Sequence, residues 1–454
     1  MTFTQASNYT FLPRFFRLTI TNTLSSIIVP LSGLVDIAFL GHLADLRYLA
    51  GVSLSVILFS YLYRMLDFLR SSTNGETAQA MGVDDREYVL LVLLRNILIA
   101  LSLGIFILLL QYPIQKLGFS FLIGTPGVKE AAIDYFCIRI WAAPAVLINF
   151  VFFGWFFGRE MNPVVILLSA TQSIVHIPVA YLFIVRWGWA STGAGLSTVI
   201  SQYAVCLLGF IIACFHIQWD KIWELLPKAL DWAAFKDTLK LNGNISVSSL
   251  AQISTYFIFM NFSSAMGTNV LAENSVLMEA SIIVFMVQGL GFATQTLIGS
   301  FKGRGAYEQF KPLLTVAILM SLAITLPLSV TYILFPKTLF GLFTNHGDLT
   351  EHISNYVIWL LPFEVSQAIG IVLQGYLIGL TQSTLLRNVT LIKFGIVFVP
   401  SAIAALYFHS NHLLWFAISL SSIVNVLILG MRILETLDGN VNFVTKSPVK
   451  VEMQ

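Results

Sequence analysis

A chain of 454 residues that is 57% apolar and 11% charged, with 36 Phe and a mean hydropathy of +0.82, has too little polar surface to be a water-soluble globule. Its formal net charge of +2 supplies no basic field for nucleic acid. Cys137, Cys206 and Cys214 lie in apolar stretches without CxxC spacing and offer neither a disulfide framework nor a thiolate metal site.

The first 16 residues contain Arg14 but no small-residue cleavage site behind an apolar core, so no removable leader is expected. From Thr19 to Leu40 the chain reads TITNTLSSIIVPLSGLVDIAFL, about 22 residues, long enough as a helix to cross a ~30 Å hydrocarbon core. Asp36 is its only charge. An ionisable group at that depth faces protein or water, and its default reading is that it binds or moves something. Pro30, six residues earlier, lacks a backbone donor and predicts a helix bend with a freed carbonyl near mid-membrane.

Hydropathy continues the pattern at 48–74, 88–110, 130–157, 162–185, 191–214, 242–265, 270–298, 312–335, 353–379, 384–408 and 411–433, making twelve predicted spans with 17–40. On the second, Arg64, Asp67 and Arg70 are spaced by three and can pair along one face. The fourth carries Arg139 and Asn149, the latter a candidate cavity donor. The fifth carries His176, just before Pro178, and an imidazole exchanges protons near neutral pH. Further along, Glu279, Glu364 and Lys393 are intramembrane charges that need partners, and Lys393 is expected to pair with one of the two acids.

With both termini and the loops after even-numbered spans placed in the cytoplasm, and Arg17, Arg387 and Arg432 at the cytoplasmic span ends counted with them, that side collects 15 of the 25 Lys and Arg, the opposite side five, and the remainder of the spans five. This asymmetry predicts a multi-pass cell-membrane protein with both ends inside. The chain then divides into an N-lobe at 1–214, a mixed-charge amphipathic linker at 215–241, a C-lobe at 242–433 and a tail at 434–454. The two halves repeat at a spacing of about 221 residues: Gly154-Trp155-Phe156-Phe157-Gly158 matches Gly375-Tyr376-Leu377-Ile378-Gly379, and Ile174 to Pro178 matches Ile396 to Pro400. Leu49-Ala50 and Gly82 likewise match Leu271-Ala272 and Gly303. Six spans per half make the repeats parallel, as in transporters whose halves rock about a central site. Asp36 corresponds to about Ile258, so the carboxylate belongs to one lobe only.

PLSGLVDIAFLGHL from Pro30, FLRSSTNGETAQAMG from Phe68, GAGLSTVISQY from Gly193 and LNGNI from Leu241 together resemble the multidrug and toxic compound extrusion (MATE) family, in particular its DinF-like branch, in order along nearly the whole chain. The resemblance implies an all-α polytopic membrane protein of twelve helices, in two six-helix repeats forming a V-shaped pair of lobes. It implies export of amphipathic organic compounds against a proton or sodium gradient. Asp36 matches the family's first-helix Asp and Thr198 a sixth-helix Thr of the N-lobe cation pocket. Where relatives carry Asn and Asp four residues apart on the fifth helix, this chain has His176 and Ala180. C-lobe positions that are often acidic are here the amides Asn244, Gln252, Gln295 and Gln374, which keep hydrogen bonding without titratable charge.

Coupling is therefore expected at Asp36, His176 and Thr198, substrate contact at Asp36, Asn149 and Thr198, and bending at Pro30. Gln252, Glu279, Glu364, Gln374 and Lys393 form a candidate C-lobe polar network. The resulting expectation is proton-coupled antiport by a monomer, acting on lipophilic cationic or neutral compounds, in contact with membrane lipids, without nucleic acid and without a bound metal or cofactor. Sodium on Asp36 and Thr198, a flippase for lipid-linked intermediates, and an uncoupled channel or scaffold are the alternatives. No GxxxxGK[ST], HExxH or nucleophile triad is present, so no enzyme is expected.

Overall fold

A computed structural model describes residues 9–120, 125–217, 219–279, 283–340 and 351–437, except the side chains at 29–31, 220, 279 and 283–285. Every regular element among the described residues is helical. Ten helices are long and apolar enough to cross a bilayer: α1 (Leu12–Gly41), α2 (Arg47–Gly82), α3 (Arg86–Leu109), α4 (Pro126–Gly158), α5 (Asn162–Arg186), α6 (Ala190–Cys214) and four in the second half. The predicted seventh span lies in α7 (Trp232–Met266), and the eighth comprises a short helix, Thr268–Glu279, and then α8 (Ile283–Arg304). The remaining four are α9 (Tyr307–Leu334), α10 (Val357–Gly379), α11 (Ser383–Tyr407) and α12 (Asn411–Leu437).

Helix ends differ from the hydropathy boundaries for a simple reason: hydropathy measures the part in lipid, and helices run on into water. α7 has 35 residues, about 52 Å at ~1.5 Å per residue, and so exceeds the hydrocarbon core. Its first turns carry exposed Lys236, Asp237 and Lys240. The predicted linker 215–241 is accordingly helical over much of its length, as the short helix Trp219–Ala229 followed by the start of α7.

By packing, the chain forms two compact units, one of residues Leu24–Asn242 and one of Met1–Thr23 with Gly243–Gln454. The lobe drawn in the sequence as 1–214 thus gives its first 23 residues to the unit built on the second repeat. The start of α1 explains the exchange. Phe11 meets the Phe301 ring edge-on at 6.1 Å, and the Thr23 hydroxyl donates to the Met286 carbonyl at 3.3 Å.

Each unit is built around the same close helix crossing. A Cβ added at Gly158 of α4 would stand 2.6 Å from Thr77 Cβ and 2.8 Å from the Asn74 carbonyl oxygen of α2, and one at Gly154 would collide with the Arg70 carbonyl. In the other unit, a Cβ at Gly379 of α10 would stand 2.6 Å from the Gln295 carbonyl oxygen of α8, and one at Gly375 would collide with the Gly291 carbonyl. Residues 70, 74, 154 and 158 map onto 291, 295, 375 and 379 at one spacing, so the sequence repeat is a repeat of backbone contacts. Lipid supplies no hydrophobic force between helices. Small residues that let backbones touch supply van der Waals contact instead.

The second unit also buries a polar knot within its apolar core of Phe259, Phe363 and Trp415. Asn274 and Asn411 exchange amide hydrogen bonds at 2.8 and 3.0 Å, and Trp415 Nε1 donates to Asn274 Oδ1 at 2.8 Å. Such a network holds these helices in one arrangement, because a slip would strand several donors at once.

Gly158→Val and Gly379→Val are each expected to cost about 1–3 kcal/mol by overpacking. Fluorescence-detected size-exclusion after heating should show lower melting midpoints for both, whereas Gly430→Ala, where nothing lies within 4 Å, should match the parent. Equal behaviour of all three would refute the crossing as a stability determinant.

Candidate functional site

Two helices of the first unit supply the site. Ser169, Ser173 and His176 recur along α5 at helical spacing and share one face, and Ser25, Ser32 and Asp36 do the same on α1. The faces meet in parallel register. Ser25 and Ser169 hydroxyls lie 2.5 Å apart, Ser32 and Ser173 hydroxyls 3.3 Å apart, and the Ser173 hydroxyl also donates to the Ile28 carbonyl at 3.2 Å. The ladder ends where His176 Nε2 meets Asp36 Oδ1 at 2.9 Å, with relative exposures of 2% and 5%.

The sequence-predicted coupling residues Asp36 and His176 are thus brought together. A carboxylate and an imidazole so enclosed depend on each other, since removing one partner of a buried pair costs about 3–5 kcal/mol. Either the imidazole donates to a carboxylate, or the two share an additional proton. Those two forms differ by one unit of charge at a point otherwise insulated from water. Just beyond His176, Pro178 interrupts the hydrogen-bond ladder, and α5 continues as a π-helical turn, Tyr181–Arg186, an irregularity that often marks functional sites.

Thr198 stands elsewhere than expected. Its hydroxyl donates to the Ala194 carbonyl at 3.1 Å, the intrahelical bond that threonines make, and no hydrogen bond joins it to Asp36 or His176. It faces Tyr135 of α4, whose hydroxyl receives Arg139 Nη1 at 2.6 Å, and the charge of Asp36 also reaches Tyr135. Asn149 is a clamp between α4 and α6: its amide donates to both the carbonyl and the side-chain oxygen of Gln202, each at 2.9 Å. Only its enclosed Oδ1 is left without a partner. Pro30 lies inside α1, and its side chain is outside the described residues, as is that of Glu279.

In the second unit the predicted network separates into pieces. Gln252 Nε2 donates to Gln374 Oε1 at 3.4 Å, so those two amides do meet. Asn244 binds the Ser383 hydroxyl at 3.1 Å and receives Arg387 Nη1 at 2.9 Å. Glu364, however, accepts from Ser329 of α9 at 2.7 Å and makes no ion pair with Lys393. The expected Glu364–Lys393 bridge is absent because α10 turns its acid toward α9, while Lys393 opens a π-helical turn, Lys393–Phe398, that packs on α12. Lys393 is 4% exposed and has no ion-pair partner among the described residues. On α2, Arg70 and Asp67 pair at 3.1 Å, as their spacing predicted.

Sequence reasoning passed over Ser25, Ser32, Ser169, Ser173 and Tyr135. The signal was present in part: Ser169, Ser173 and His176 have the spacing of one helix face, and only the partner face on α1 had to be guessed.

Comparison with known proteins bears on the family and the fold. The MatE family model matches the chain twice, at residues 23–182 and 245–404, which reproduces the internal repeat. DNA damage-inducible protein F of Escherichia coli K12 is 30% identical over 399 residues, covering 87% of this chain and 86% of that protein. Among solved structures, MATE in its bent conformation superimposes with a TM-score of 0.82 at 21% identity, covering 94% of this chain and 96% of the other. An outward-facing multidrug resistance MATE transporter gives 0.81 at 19%, covering 95% and 96%.

Lys393→Leu removes a buried ammonium with no described counter-ion. It is expected to raise the melting midpoint in detergent, because exchanging buried charge for well-packed hydrocarbon gains about 1–4 kcal/mol. A lowered midpoint would instead show that an acid neutralises it, Glu279 being an intramembrane acid whose side chain is outside the described ones.

Proposed function

Since the chain belongs to the MATE family, we propose that it is a secondary multidrug exporter of the cell membrane, driven by protons exchanged at the Asp36–His176 pair. The contact at 2.9 Å between these two enclosed groups is the observation that carries the reading. Without its extra proton the pair has net charge −1 and attracts the cationic or polar end of an amphipathic compound. With the proton it is neutral, and that attraction is gone.

Antiport follows from this exclusion. On the outer side, proton uptake releases cargo; on the cytoplasmic side, where both termini are placed by the distribution of Lys and Arg, cargo replaces the proton. To move the bundle from 1:99 to 99:1 between two arrangements, the proton must favour one of them by roughly 10⁴-fold. α1 is suited to transmit the change. Asp36 lies six residues beyond Pro30, and the Ser25, Ser32 and Ile28 contacts to α5 are short-range bonds that re-form when α1 bends.

His176 also bears on the choice of ion. Sodium prefers several hard oxygen ligands, whereas here an imidazole nitrogen occupies one carboxylate oxygen, and Thr198 is turned to its own helix. The site supports a proton better than a metal cation. For lipophilic cargo, Phe, Tyr and Met side chains provide adaptable apolar walls.

The test is drug-driven proton flux in proteoliposomes. Wild type should acidify or alkalinise the lumen when substrate is added, independently of sodium. Asp36→Asn should reduce the flux to background with folding intact, and His176→Ala should lower it by about tenfold or more, as expected for loss of a proton-transfer partner. Normal pH-dependent flux in Asp36→Asn would remove the mechanism, and strict dependence on sodium would replace the ion.

A further inference from the structure

A cavity of about 270 Å³ lies where four spans of the first unit end. Met81 comes from the last turn of α2, Arg86 opens α3, Trp155 and Arg159 close α4, and His216 follows α6, while Lys221 and Leu225 of the helix Trp219–Ala229 complete the lining. The second unit repeats the hollow. Met81, Arg86, Val89, Trp155, Arg159 and His216 correspond, 221 residues on, to Lys302, Tyr307, Phe310, Tyr376, Leu380 and Leu437, which line a cavity of about 80 Å³. The six-helix fold makes the space, and the side chains decide its use. In the second unit Lys302 donates to the Leu380 carbonyl at 2.9 Å. In the first, a guanidinium stands where Leu380 does, and the protein does not satisfy it. Arg159 Cζ lies 4.2 Å from the centre of the buried Trp155 ring, Nη1 is enclosed without a partner, and the group makes no hydrogen bond or ion pair among the described residues.

The acids on the wall are engaged elsewhere: Glu87 receives Lys221 Nζ at 2.6 Å, and Asp84 faces Arg86 at 3.9 Å. Burial and the charge of Arg86 push the Arg159 pKa down, and no acid offsets them. One aromatic face compensates little of a group with five donors. What matches a planar donor fork in charge and shape is an oxyanion held by two parallel bonds, as phosphate can be. Depth indicates the source. The cavity lies at the ends of the spans, level with lipid headgroups. Phe215, Trp219 and Trp223, which flank its lining residues in sequence, are 83%, 53% and 81% exposed, as aromatic side chains are at a membrane–water boundary. The helix Trp219–Ala229 buries Leu225 and Ala229 and turns those two tryptophans outward, as a helix lying in the interface does.

We propose that the first unit's cavity binds the phosphate of an anionic phospholipid, with the Arg159 fork on its oxygens and Arg86 adding positive charge. A choline headgroup carries a cation of its own toward these two arginines and is disfavoured. The binding needs neither a gradient nor cargo, and so stands apart from the export reading. A guanidinium that merely anchored the end of α4 would be indifferent to the headgroup.

Native mass spectrometry of the full chain in a neutral detergent, titrated with phosphatidylglycerol and phosphatidylcholine of the same acyl chains, reads the first bound lipid. In wild type, phosphatidylglycerol should bind at least about fivefold more tightly. Arg159→Gln should raise its Kd by about tenfold and that of phosphatidylcholine by less than about twofold, with Arg159→Lys, a point charge without the fork, in between. Arg86→Gln, at an exposed position, should raise the phosphatidylglycerol Kd by about threefold, and Arg432→Gln, an exposed cation of the second unit, should leave it unchanged. Equal affinity of the two lipids in wild type, or equal losses in Arg159→Gln and Arg432→Gln, overturns the proposal. If Arg159→Gln does not fold, Arg159→Lys and Arg86→Gln decide. Thermal melting separates the sources of phosphate: phosphatidylglycerol should raise the wild-type midpoint and inorganic phosphate alone should not. An equal, Arg159-dependent rise with inorganic phosphate would assign the cavity to the free ion and overturn the lipid.

Discussion

A charge buried among helices in lipid has no water to return to, and the first unit is organised by that constraint. Asp36 is held by His176, and the serines below them satisfy one another and the Ile28 carbonyl, so α1 and α5 meet through hydroxyls where most of this protein meets through hydrocarbon. Hydroxyl contacts of this kind are directional but weak, worth about 0.5–1.5 kcal/mol each. An interface made of them holds its register through several small contributions rather than one strong one.

The glycine crossings answer a different need. α2 with α4, and α8 with α10, approach so closely that even a methyl group at Gly158 or Gly379 meets neighbouring atoms. These contacts are duplicated faithfully in the two units, because a backbone crossing is indifferent to chemistry. The charges are not duplicated. Asp36, Arg139 and Glu364 fall, at a spacing of 221 or 222 residues, opposite Ile258, Leu360 and Ala143. Duplication thus preserved the scaffold of each six-helix unit and left titratable groups to one copy apiece. The second unit keeps its own polar features, the Asn274–Asn411–Trp415 knot and the Gln252–Gln374 pair, neither of which needs to change charge.

Pairings of intramembrane charges were the least legible part of the chain. Arg70 with Asp67 followed from spacing on one helix, since residues three apart are neighbours wherever that helix goes. Glu364 with Lys393 did not, since each sits on a different helix and the rotation of both sets whether they meet. The π-helical turn that begins at Lys393 shifts that rotation, and nothing in a run of apolar residues announces a π turn. Thr198 shows the same limit. Its hydroxyl had a carbonyl four residues back within reach, and a local bond satisfied it before a distant one was needed.

The order of amino acids by itself determined that the chain lives in lipid, that it holds two copies of a six-helix unit, and that Asp36 and His176 are ionisable groups set in apolar spans. Hydropathy, periodicity and the isolation of a charge are local properties, readable wherever the helices finally lie. Only the tertiary structure decided that those two side chains touch, that α1 begins in the unit of the second repeat, and that Arg139 lies against the Phe59 and Tyr135 rings. Those are matters of helix rotation and depth, set by the sum of many packing contacts, and no single stretch of sequence contains them.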